Sequence, residues 1–396
     1  MKSLSGLVLS RVLLFIGMSF LAVPHAVCQT PTPECLNTGD VNFSGTITAS
    51  DAQLAFLITL GTVIPTYEEA CASDCNGSGS VTAADAQAIF LTVLGSGTCV
   101  DPIPPTPTNT PVASPVPVSV GLMIPIDAGT FSQGSPPAEA CRGSNETIFS
   151  HTLTRDFEVM ETSITRRMWA DLLAVQSTLP ADPSNTTWSP TLDHPAQRTS
   201  WFHSVLFANL LSLQNGYTRC YYKDAAYTIP VDHTNYSSGT FTCNFDADGY
   251  RLPTEGEAEY YIRAGTSTPF SCSVPGYSEA TCYSCTLGDL PELEQVCWFC
   301  AQSGYAVSMV AGTLNPNPWM LKDVHGNVWN WCWDYFDIYP TAPQTDYTGP
   351  ASGTQRICRG GSLAYEASGC RSARRSYYPA HSLLHDNGFR LVRTLN

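Results

Sequence analysis

Positive charge is scarce in this sequence. Lysine occurs only at positions 2, 223 and 322, charged residues make up 13% of the 396 positions, and the formal net charge is −15. Nucleic-acid binding depends on lysine and arginine side chains that neutralise phosphates. Attachment to an anionic membrane surface depends on clustered basic residues. The composition therefore argues against both kinds of partner.

Long apolar runs are missing after the N-terminus, so we predict no transmembrane segment beyond residue 28. At the N-terminus, Lys2 and Arg11 are followed by an apolar run over 12–23 and then by small residues up to Cys28. This run is too short to span a bilayer comfortably, and the order is typical of a secretion signal. We predict a signal peptide over residues 1–28 and a secreted or cell-surface protein. A lipoprotein anchored at Cys28 is the alternative, although its neighbours match that motif poorly.

The sixteen cysteines are numerous for a cytosolic chain and favour disulfides in an exported one. Removal of Cys28 with the leader would leave fifteen, so at least one thiol would be unpaired or bound to another chain. The spacing Cys282-x-x-Cys285 and Cys297-x-x-Cys300 is also typical of a zinc site. Export favours disulfides over zinc at these four positions.

A twelve-residue motif at 40–51 recurs 34 residues later at 74–85, and each copy leads into a segment with helical apolar spacing. Oxygen ligands at loop positions 1, 3, 5, 7 and 12, with glycine at position 6, form an EF-hand-type calcium cage. Serine instead of aspartate at position 5 lowers the charge and predicts weak affinity. The predicted calcium ligands are Asp40, Asn42, Ser44, Thr46, Asp51, Asp74, Asn76, Ser78, Ser80 and Asp85. A turn-rich stalk that binds no metal is the alternative.

Two such loops with one helix each resemble a type I dockerin, and the resemblance covers residues 35–100. It implies a cohesin-like protein partner. Small residues, Ala49-Ser50 and Ala83-Ala84, occupy the loop positions that help to choose that partner. We also expect two disulfides among Cys35, Cys71, Cys75 and Cys99, because so small a module has little core.

Seven of the nineteen residues at 101–119 are proline, which predicts an extended linker. A larger domain, 120–396, follows it. We expect helices over 164–173 and 201–213 in this domain. A third helix should begin after the N-cap Thr254, with Glu257 closing a capping box, and should stop at Gly265.

Several strings of the large domain occur in the order found in the formylglycine-generating enzyme (sulfatase-modifying factor) family, which they resemble. They lie at 124–135, 194–195, 200–201, 249–255, 325–334, 359–362, 371–374 and 388–391. The resemblance implies an α+β fold: an irregular domain related to C-type lectins, beside the small α-helical EF-hand-type calcium module.

The family enzyme oxidises a substrate cysteine to formylglycine with copper and oxygen, which the resemblance carries to Ser362 and Cys370 as candidate catalytic residues. Its two cysteines lie three and eight residues after the Gly-Gly-Ser serine. The first of these positions is Tyr365, and a phenol cannot replace a thiolate that binds Cu(I). Copper is therefore expected only if the oxidase interpretation holds. The alternative for Cys370 is a disulfide, for example to Cys332 or Cys358.

The family also binds calcium near the Gly-Asn-Val-Trp string, which makes Asn327 and Asn330 candidate ligands. Asn330 stands where the family usually has glutamate, so a ligand charge is missing. A hydrogen-bonded turn without metal is the alternative. Glu255, Glu257, Glu259 and Arg263 are interpreted as a solvated or buried structural network.

The C-terminal segment alternates these strings with Tyr, Ser, His, Asp and Gly, which suit an adaptable binding surface. In this it resembles the variable proteins of diversity-generating retroelements; an ordinary surface loop is the alternative. The candidate ligand-binding residues are Ala364, Tyr365, Ser368, Gly369, Ser376, Tyr377, Tyr378, His381, Leu383, Leu384, His385 and Asp386. Although His381 and His385 have i, i+4 spacing, they lie in a loop, which disfavours a metal site.

Three functions compete. The leading one is an exported recognition protein that binds a protein or glycan ligand through its large domain and lacks oxidase activity. The second is a copper-dependent oxidase, which requires a free Cys370 and another thiol in place of the one missing at Tyr365. The third is a structural cell-surface or cellulosome-like component, in which the dockerin-like module is the functional part.

Overall fold

The computed structural model describes residues 41–42, 46–60, 62–63, 72–73, 75, 81–94, 99, 117–303 and 307–395. These residues form two units, one up to residue 99 and one from residue 117. No helix within them is long and apolar enough to cross a membrane. Several predicted features lie outside the described residues: the leader with Cys28, Cys35, Cys71, most of the linker, and the loop ligands Asp40, Ser44, Asp74, Asn76, Ser78 and Ser80.

Two helices, α1 (Ala49–Thr59) and α2 (Ala83–Val93), form the core of the first unit. Each begins where an aspartate at the third helical position accepts a hydrogen bond from the backbone of the N-cap threonine, at 2.8 Å in both copies. The helices bury Ala55 and Ile89 completely. One disulfide joins Cys75 to Cys99, which confirms one of the two pairs expected in this module.

The three helices predicted in the large domain are present: α3 (Arg166–Val175), α4 (Trp201–Gln214) and α5 (Glu255–Arg263). Helix α4 is apolar on nearly every side and is buried accordingly. Helix α5 begins with the predicted capping box, because Glu257 donates its backbone N–H to the Thr254 hydroxyl and accepts one from the Thr254 backbone. It ends at Ala264, whose left-handed conformation precedes Gly265. A short helix, α6, covers Cys300–Ser303, and 3₁₀ turns cover Leu293–Gln295 and Ala367–Cys370.

Short strands form five small sheets in the part of the large domain that the structure describes. The strands are β1 (Met123–Ile126), β2 (Thr130–Gln133), β3 (Phe149–Thr152), β4 (Phe157–Met160), β5 (Tyr221–Tyr222), β6 (Thr242–Cys243), β7 (Tyr250–Arg251), β8 (Cys297–Trp298), β9 (His325–Gly326), β10 (Trp329–Tyr335), β11 (Gln344–Thr345), β12 (Arg356–Arg359), β13 (Ser376–Tyr378), β14 (Asn387–Gly388) and β15 (Val392–Thr394). The order of strands in the five sheets is β1-β4-β15-β7, β13-β12-β10-β14, β11-β3-β2, β5-β6 and β8-β9.

The carboxylates of α5 belong to a buried ion-pair network, one of the two interpretations that the sequence allowed. Glu257 holds Arg251 through two hydrogen bonds of 2.7 Å, and Glu255 holds Arg375 at 2.6 and 2.8 Å. Glu259 bonds both Arg263 and Arg359. Because these arginines come from β7, β12 and the segment before β13, the network joins α5 to distant parts of the domain.

The packing of the large domain begins before residue 120. Val118 is buried against α4, and its backbone exchanges two hydrogen bonds with the Asn215 side chain, at 2.7 and 2.9 Å. The last residues of the predicted linker, 117–119, are therefore attached to the large domain.

Candidate functional site

Strand β10 positions the aromatic floor of the candidate site. Side chains two residues apart on a strand point to the same face, so Trp329 and Trp331 share one side of β10. The neighbouring antiparallel strands add Cys358, opposite Trp331, and Tyr378, opposite Arg356. The Trp-x-Trp alternation was visible in the sequence and is the signal by which these floor residues could have been predicted.

Two tyrosines cover this floor. The Tyr365 ring lies edge-on to Trp329 with centroids 5.4 Å apart, and Tyr378 lies edge-on to Trp331 at 6.4 Å. Their hydroxyl oxygens are 3.1 Å apart, within hydrogen-bonding distance. Both side chains are half-buried. Burial raises the pKa of Tyr378, so its phenol is a neutral hydrogen-bonding group near neutral pH.

Two backbone hydrogen bonds hold Tyr365 in place. Tyr365 N–H donates to the Ser362 carbonyl at 3.2 Å, and the Tyr365 carbonyl accepts from Cys300 N–H at 3.0 Å. A side chain at Gly369 would come within 2.6 Å of the Tyr365 Cβ, so the packing of this tyrosine requires glycine there. The candidate Gly369 therefore leaves the space that the Tyr365 side chain occupies.

The structure separates the predicted ligand-binding residues into different environments. Ser368, Gly369 and Asp386 are buried, and the Asp386 carboxylate accepts a hydrogen bond of 2.8 Å from the Ser362 hydroxyl. These three support the surface and do not form it. Half-buried or exposed positions that remain available are Ala364, Tyr365, Ser376, Tyr377, Tyr378, His381, Leu383, Leu384 and His385.

Not all of the available residues lie together. Tyr377 points to the opposite side of β13 from Tyr378 and stacks on Phe336 with centroids 3.7 Å apart. His385 lies against Trp188 at 4.9 Å. His381 and His385 belong to no cluster of metal-ligating side chains among the described residues. We use the name tyrosine surface for Tyr365, Tyr378 and the Trp329 and Trp331 side chains beneath them.

Cys370, the candidate catalytic thiol, is completely buried and is not in a disulfide. Its thiol donates to the Ser362 carbonyl at 3.8 Å, and the Cys297 thiol lies in the same buried apolar cluster. Cys332 and Cys358 were the expected disulfide partners, but they are free cysteines in other parts of the core. That pairing is wrong, because Cys370 packs in a separate apolar cluster with Cys297.

Disulfides occupy three of the four positions with zinc-like spacing. Cys285 is bonded to Cys300, and Cys282 is bonded to Cys141. Three of the sulfurs are therefore not available to a four-thiolate zinc site, which confirms the preference for disulfides at these positions. Cys297 is the exception and remains a thiol.

The candidate calcium ligands Asn327 and Asn330 are both buried and hydrogen-bonded within the protein. The Asn327 side-chain oxygen accepts from Met309 N–H at 3.0 Å, and that of Asn330 accepts from the Ser163 hydroxyl at 2.8 Å. Both amide oxygens thus have protein donors, and the buried Asp323 carboxylate lies beside Asn327 with one oxygen that has no hydrogen-bond partner among the described residues. Calcium at these two residues therefore stays a prediction, beside the alternative of a hydrogen-bonded turn without metal.

In the first unit, the described ligand candidates include two carboxylates, Asp51 and Asp85. Asp51 is completely buried, and one of its oxygens accepts from Asn42 N–H at 3.1 Å. The first and last parts of the loop therefore meet at a carboxylate, the hard oxygen donor that calcium prefers. Asp85 is buried at the equivalent position of the second copy, whereas Thr46 is exposed.

The comparisons with known proteins agree with this architecture. The sulfatase-modifying factor enzyme 1-like domain matches residues 109–395, and the dockerin type I domain matches residues 38–94. The chain therefore belongs to the sulfatase-modifying factor family and carries a dockerin type I domain ahead of the family domain.

Relatives of this chain include a chaperone and several enzymes. The chaperone protein LppX of Paenibacillus barcinonensis is 25% identical over 60% of this chain and 80% of its own length. The formylglycine-generating enzyme of Thermomonospora curvata is 25% identical over 71% of this chain and 95% of the enzyme. The enzyme of Streptomyces coelicolor is 31% identical, but the match covers 41% of this chain and about half, 51%, of the enzyme.

Solved structures share the fold. Treponema denticola variable protein 1 superposes with a TM-score of 0.57 at 25% identity and covers 72% of this chain and 100% of its own. CarF superposes at 0.50 with 20% identity, over 69% of this chain and 98% of its own. The first of these supports the resemblance of the C-terminal segment to variable proteins.

Proposed function

We propose that this chain is an exported recognition protein. Its large domain binds a protein or glycan ligand through the tyrosine surface and does not oxidise cysteine. Its dockerin domain binds calcium and a cohesin-type partner. The observation that carries the proposal is the position of Tyr365, where the family's oxidase needs a thiolate and this chain has a phenol that packs on Trp329 and bonds Tyr378.

The chemistry of the tyrosine surface suits binding. Half-buried aromatic side chains supply contact area at a low entropic cost, and their hydroxyls supply adaptable hydrogen bonds. The floor beneath them contains an unused donor, because the buried Trp329 indole N–H has no hydrogen-bond partner among the described residues. The similarity to a structure titled a variable protein supports the same role.

The copper that the oxidase interpretation needs does not fit the residues at the family position. Copper would supply the redox chemistry of cysteine oxidation, but the side chain at 365 is not a sulfur ligand. Cys370 does have a thiol neighbour, Cys297, yet both are completely buried. The presence of these two neighbouring thiols is the one observation that keeps an oxidase as the second candidate. A gain of cysteine oxidation by Tyr365→Cys would favour a decayed enzyme over a recognition protein.

The dockerin domain supports attachment to another exported protein. Helices α1 and α2 expose matching apolar residues 34 positions apart: Phe56 with Phe90, and Leu60 with Leu94. Calcium would be held by Asp51 and Asp85 with the oxygen ligands of their loops. Such a partner, the disulfides and the leader-like N-terminus together support a secreted or cell-surface location. If only this domain were functional, the chain would be a structural component of a cell-surface or cellulosome-like assembly.

Binding by the tyrosine surface can be tested on an oligosaccharide array and with a displayed peptide library. The wild-type chain, Tyr365→Ala and Tyr378→Ala are compared with Tyr227→Ala, a control that removes an exposed tyrosine from another loop. We expect a ligand that the wild type and the control retain and that both test variants lose. Equal binding by all four proteins would contradict the proposed site.

A further inference from the structure

Two buried thiols lie beside the tyrosine surface and have no role in the function proposed above. Cys297 lies on β8 and Cys370 ends the 3₁₀ turn Ala367–Cys370, 73 positions further along the chain. Both are in one apolar cluster with Phe270, Leu293 and Phe299. Cys370 donates to the Ser362 carbonyl, and its proximity contributes to the raised pKa of the Cys297 thiol, after burial.

The backbone around the two thiols is held in place independently. Strand β8 pairs with β9 so that Cys297 lies opposite His325. The His325 imidazole in turn hydrogen-bonds the Cys370 carbonyl at 2.8 Å through Nδ1. Neutral imidazole is favoured there, because burial lowers the pKa of His325 to about 4. A shared neighbour therefore fixes both cysteines, and their contact does not depend on the two sulfurs alone.

We propose that Cys297 and Cys370 are joined by a disulfide in the exported protein. Two disulfides, Cys141–Cys282 and Cys285–Cys300, already lie in the same region. The bond would form by exchange with a disulfide-carrying oxidant of the exporting compartment. The two cysteine S–H bonds break, one S–S bond forms between the cysteines, and the oxidant's disulfide takes up the two protons and two electrons as two thiols.

The bond has to form before the domain closes. Both sulfurs are completely buried in the folded domain, and burial raises the pKa of the Cys297 thiol well above its ordinary value. The thiolate is the nucleophile in disulfide exchange, so the folded thiols react very slowly. Reduced, folded protein should remain reduced in oxidised glutathione, whereas protein refolded in oxidised glutathione should acquire the bond.

A disulfide at this position would fix the wall of the tyrosine surface, an effect that rests on the function proposed above. The Tyr365 carbonyl accepts from Cys300 N–H at 3.0 Å, and Ser368 N–H donates to the Cys282 carbonyl at 2.8 Å. With Cys297–Cys370 in place, the segment 365–370 would be bound at both ends to disulfide-bonded chain. Such preorganisation lowers the entropic cost of ligand binding.

Peptide mapping tests the bond without a ligand. The exported protein is denatured without reductant, alkylated with iodoacetamide, digested and analysed by mass spectrometry. We expect one linked peptide pair that contains Cys297 and Cys370. The variant Cys297→Ser should expose Cys370 to alkylation, and Cys370→Ser should expose Cys297, whereas Cys332→Ser, a buried cysteine in another cluster, should leave the linked pair intact.

Two results would overturn the proposal. One is that both cysteines are alkylated in the wild-type protein, with or without retention of added Cu(I). The other is that either is linked to Cys272, the remaining free cysteine that contacts this cluster. Because the map is made on the wild-type chain, poor folding of a variant does not affect it. Failure of the array experiment would leave this result unchanged.

Discussion

The hydroxyl oxygens of Tyr365 and Tyr378 lie 3.1 Å apart, although the residues belong to different segments around the β13–β12–β10–β14 sheet. Tyr365 follows the Gly-Gly-Ser turn and Tyr378 ends β13, and the two tryptophans on β10 support both rings. The resemblance to the family's oxidase predicts a sulfur ligand at position 365, and a phenol occupies that position in this chain.

The Tyr365–Tyr378 pair should matter more for binding than for folding. Tyr365→Phe removes a half-buried hydrogen bond, which should lower the free energy of unfolding by about 0.5–1.5 kcal/mol. Tyr365→Ala also removes the ring from Trp329 and should cost about 1–2 kcal/mol, less than for a fully buried aromatic. Chemical denaturation checks both values. A loss above about 4 kcal/mol for Tyr365→Ala would show that this side chain is part of the core.

Asp51 and Asp85 should hold one calcium ion each. Calorimetric titration of the full chain should give two sites for the wild type, one site for Asp51→Ala or Asp85→Ala, and none for the double variant. The control Ser50→Ala changes an exposed neighbour of Asp51 and should keep both sites. Because calcium binds only the folded module, its chelation should also lower the temperature at which α1 and α2 unfold. Two sites in the double variant would contradict this ligand assignment.

The buried pair of Arg251 and Glu257 should be essential for the stability of the large domain. Replacing Glu257 by Gln leaves a completely buried guanidinium without its charged partner, and such changes cost about 3–5 kcal/mol. Denaturant unfolding monitored by tryptophan fluorescence measures the effect. The control Asp193→Asn breaks the exposed pair with Arg167, and its unfolding midpoint should match that of the wild type. Equal midpoints for the two variants would contradict the structural role of α5.

Glu255 should make the large domain sensitive to acid. Burial alone would raise its pKa, but Arg375 and Arg359 outweigh burial and hold the pKa below its ordinary value of 4.5. The stabilisation is therefore complete above the ordinary carboxyl range and is lost as the pH falls through the folded-state pKa. Unfolding free energies measured between about pH 6 and about pH 3 should fall less steeply in Glu255→Gln than in the wild type. A steeper fall in the variant would reverse the assigned sign.

Local signals in the sequence were enough to predict much of the fold. The capping box at Thr254 and Glu257 and the apolar run of α4 specify helices through neighbours a few residues away, and the structure contains both. The duplicated loop that ends at Asp51 and Asp85 could be predicted for the same reason, because each copy of its motif is only twelve residues long. The disulfide class of Cys285 and Cys300 followed from the predicted compartment.

Long-range packing accounts for what the sequence did not show. The contact of Cys370 with Cys297 depends on the pairing of β8 with β9, and no spacing rule connects residues so far apart. Tyr377 and Tyr378 look equivalent in the sequence, but the alternation of β13 sends them to opposite sides. The motif around Asn327 likewise gave no sign that Met309 N–H, eighteen positions earlier, donates to its side-chain oxygen.

The central claim is that the large domain recognises a ligand and does not oxidise cysteine. In the most direct measurement, the exported protein is incubated with Cu(I), oxygen and a cysteine-containing peptide, and aldehyde formation on the peptide is followed by mass spectrometry. A formylglycine-generating enzyme serves as the positive control. We expect the cysteine peptide to stay unmodified with the wild-type chain. Catalytic, copper-dependent conversion of that cysteine to the aldehyde would contradict the central claim.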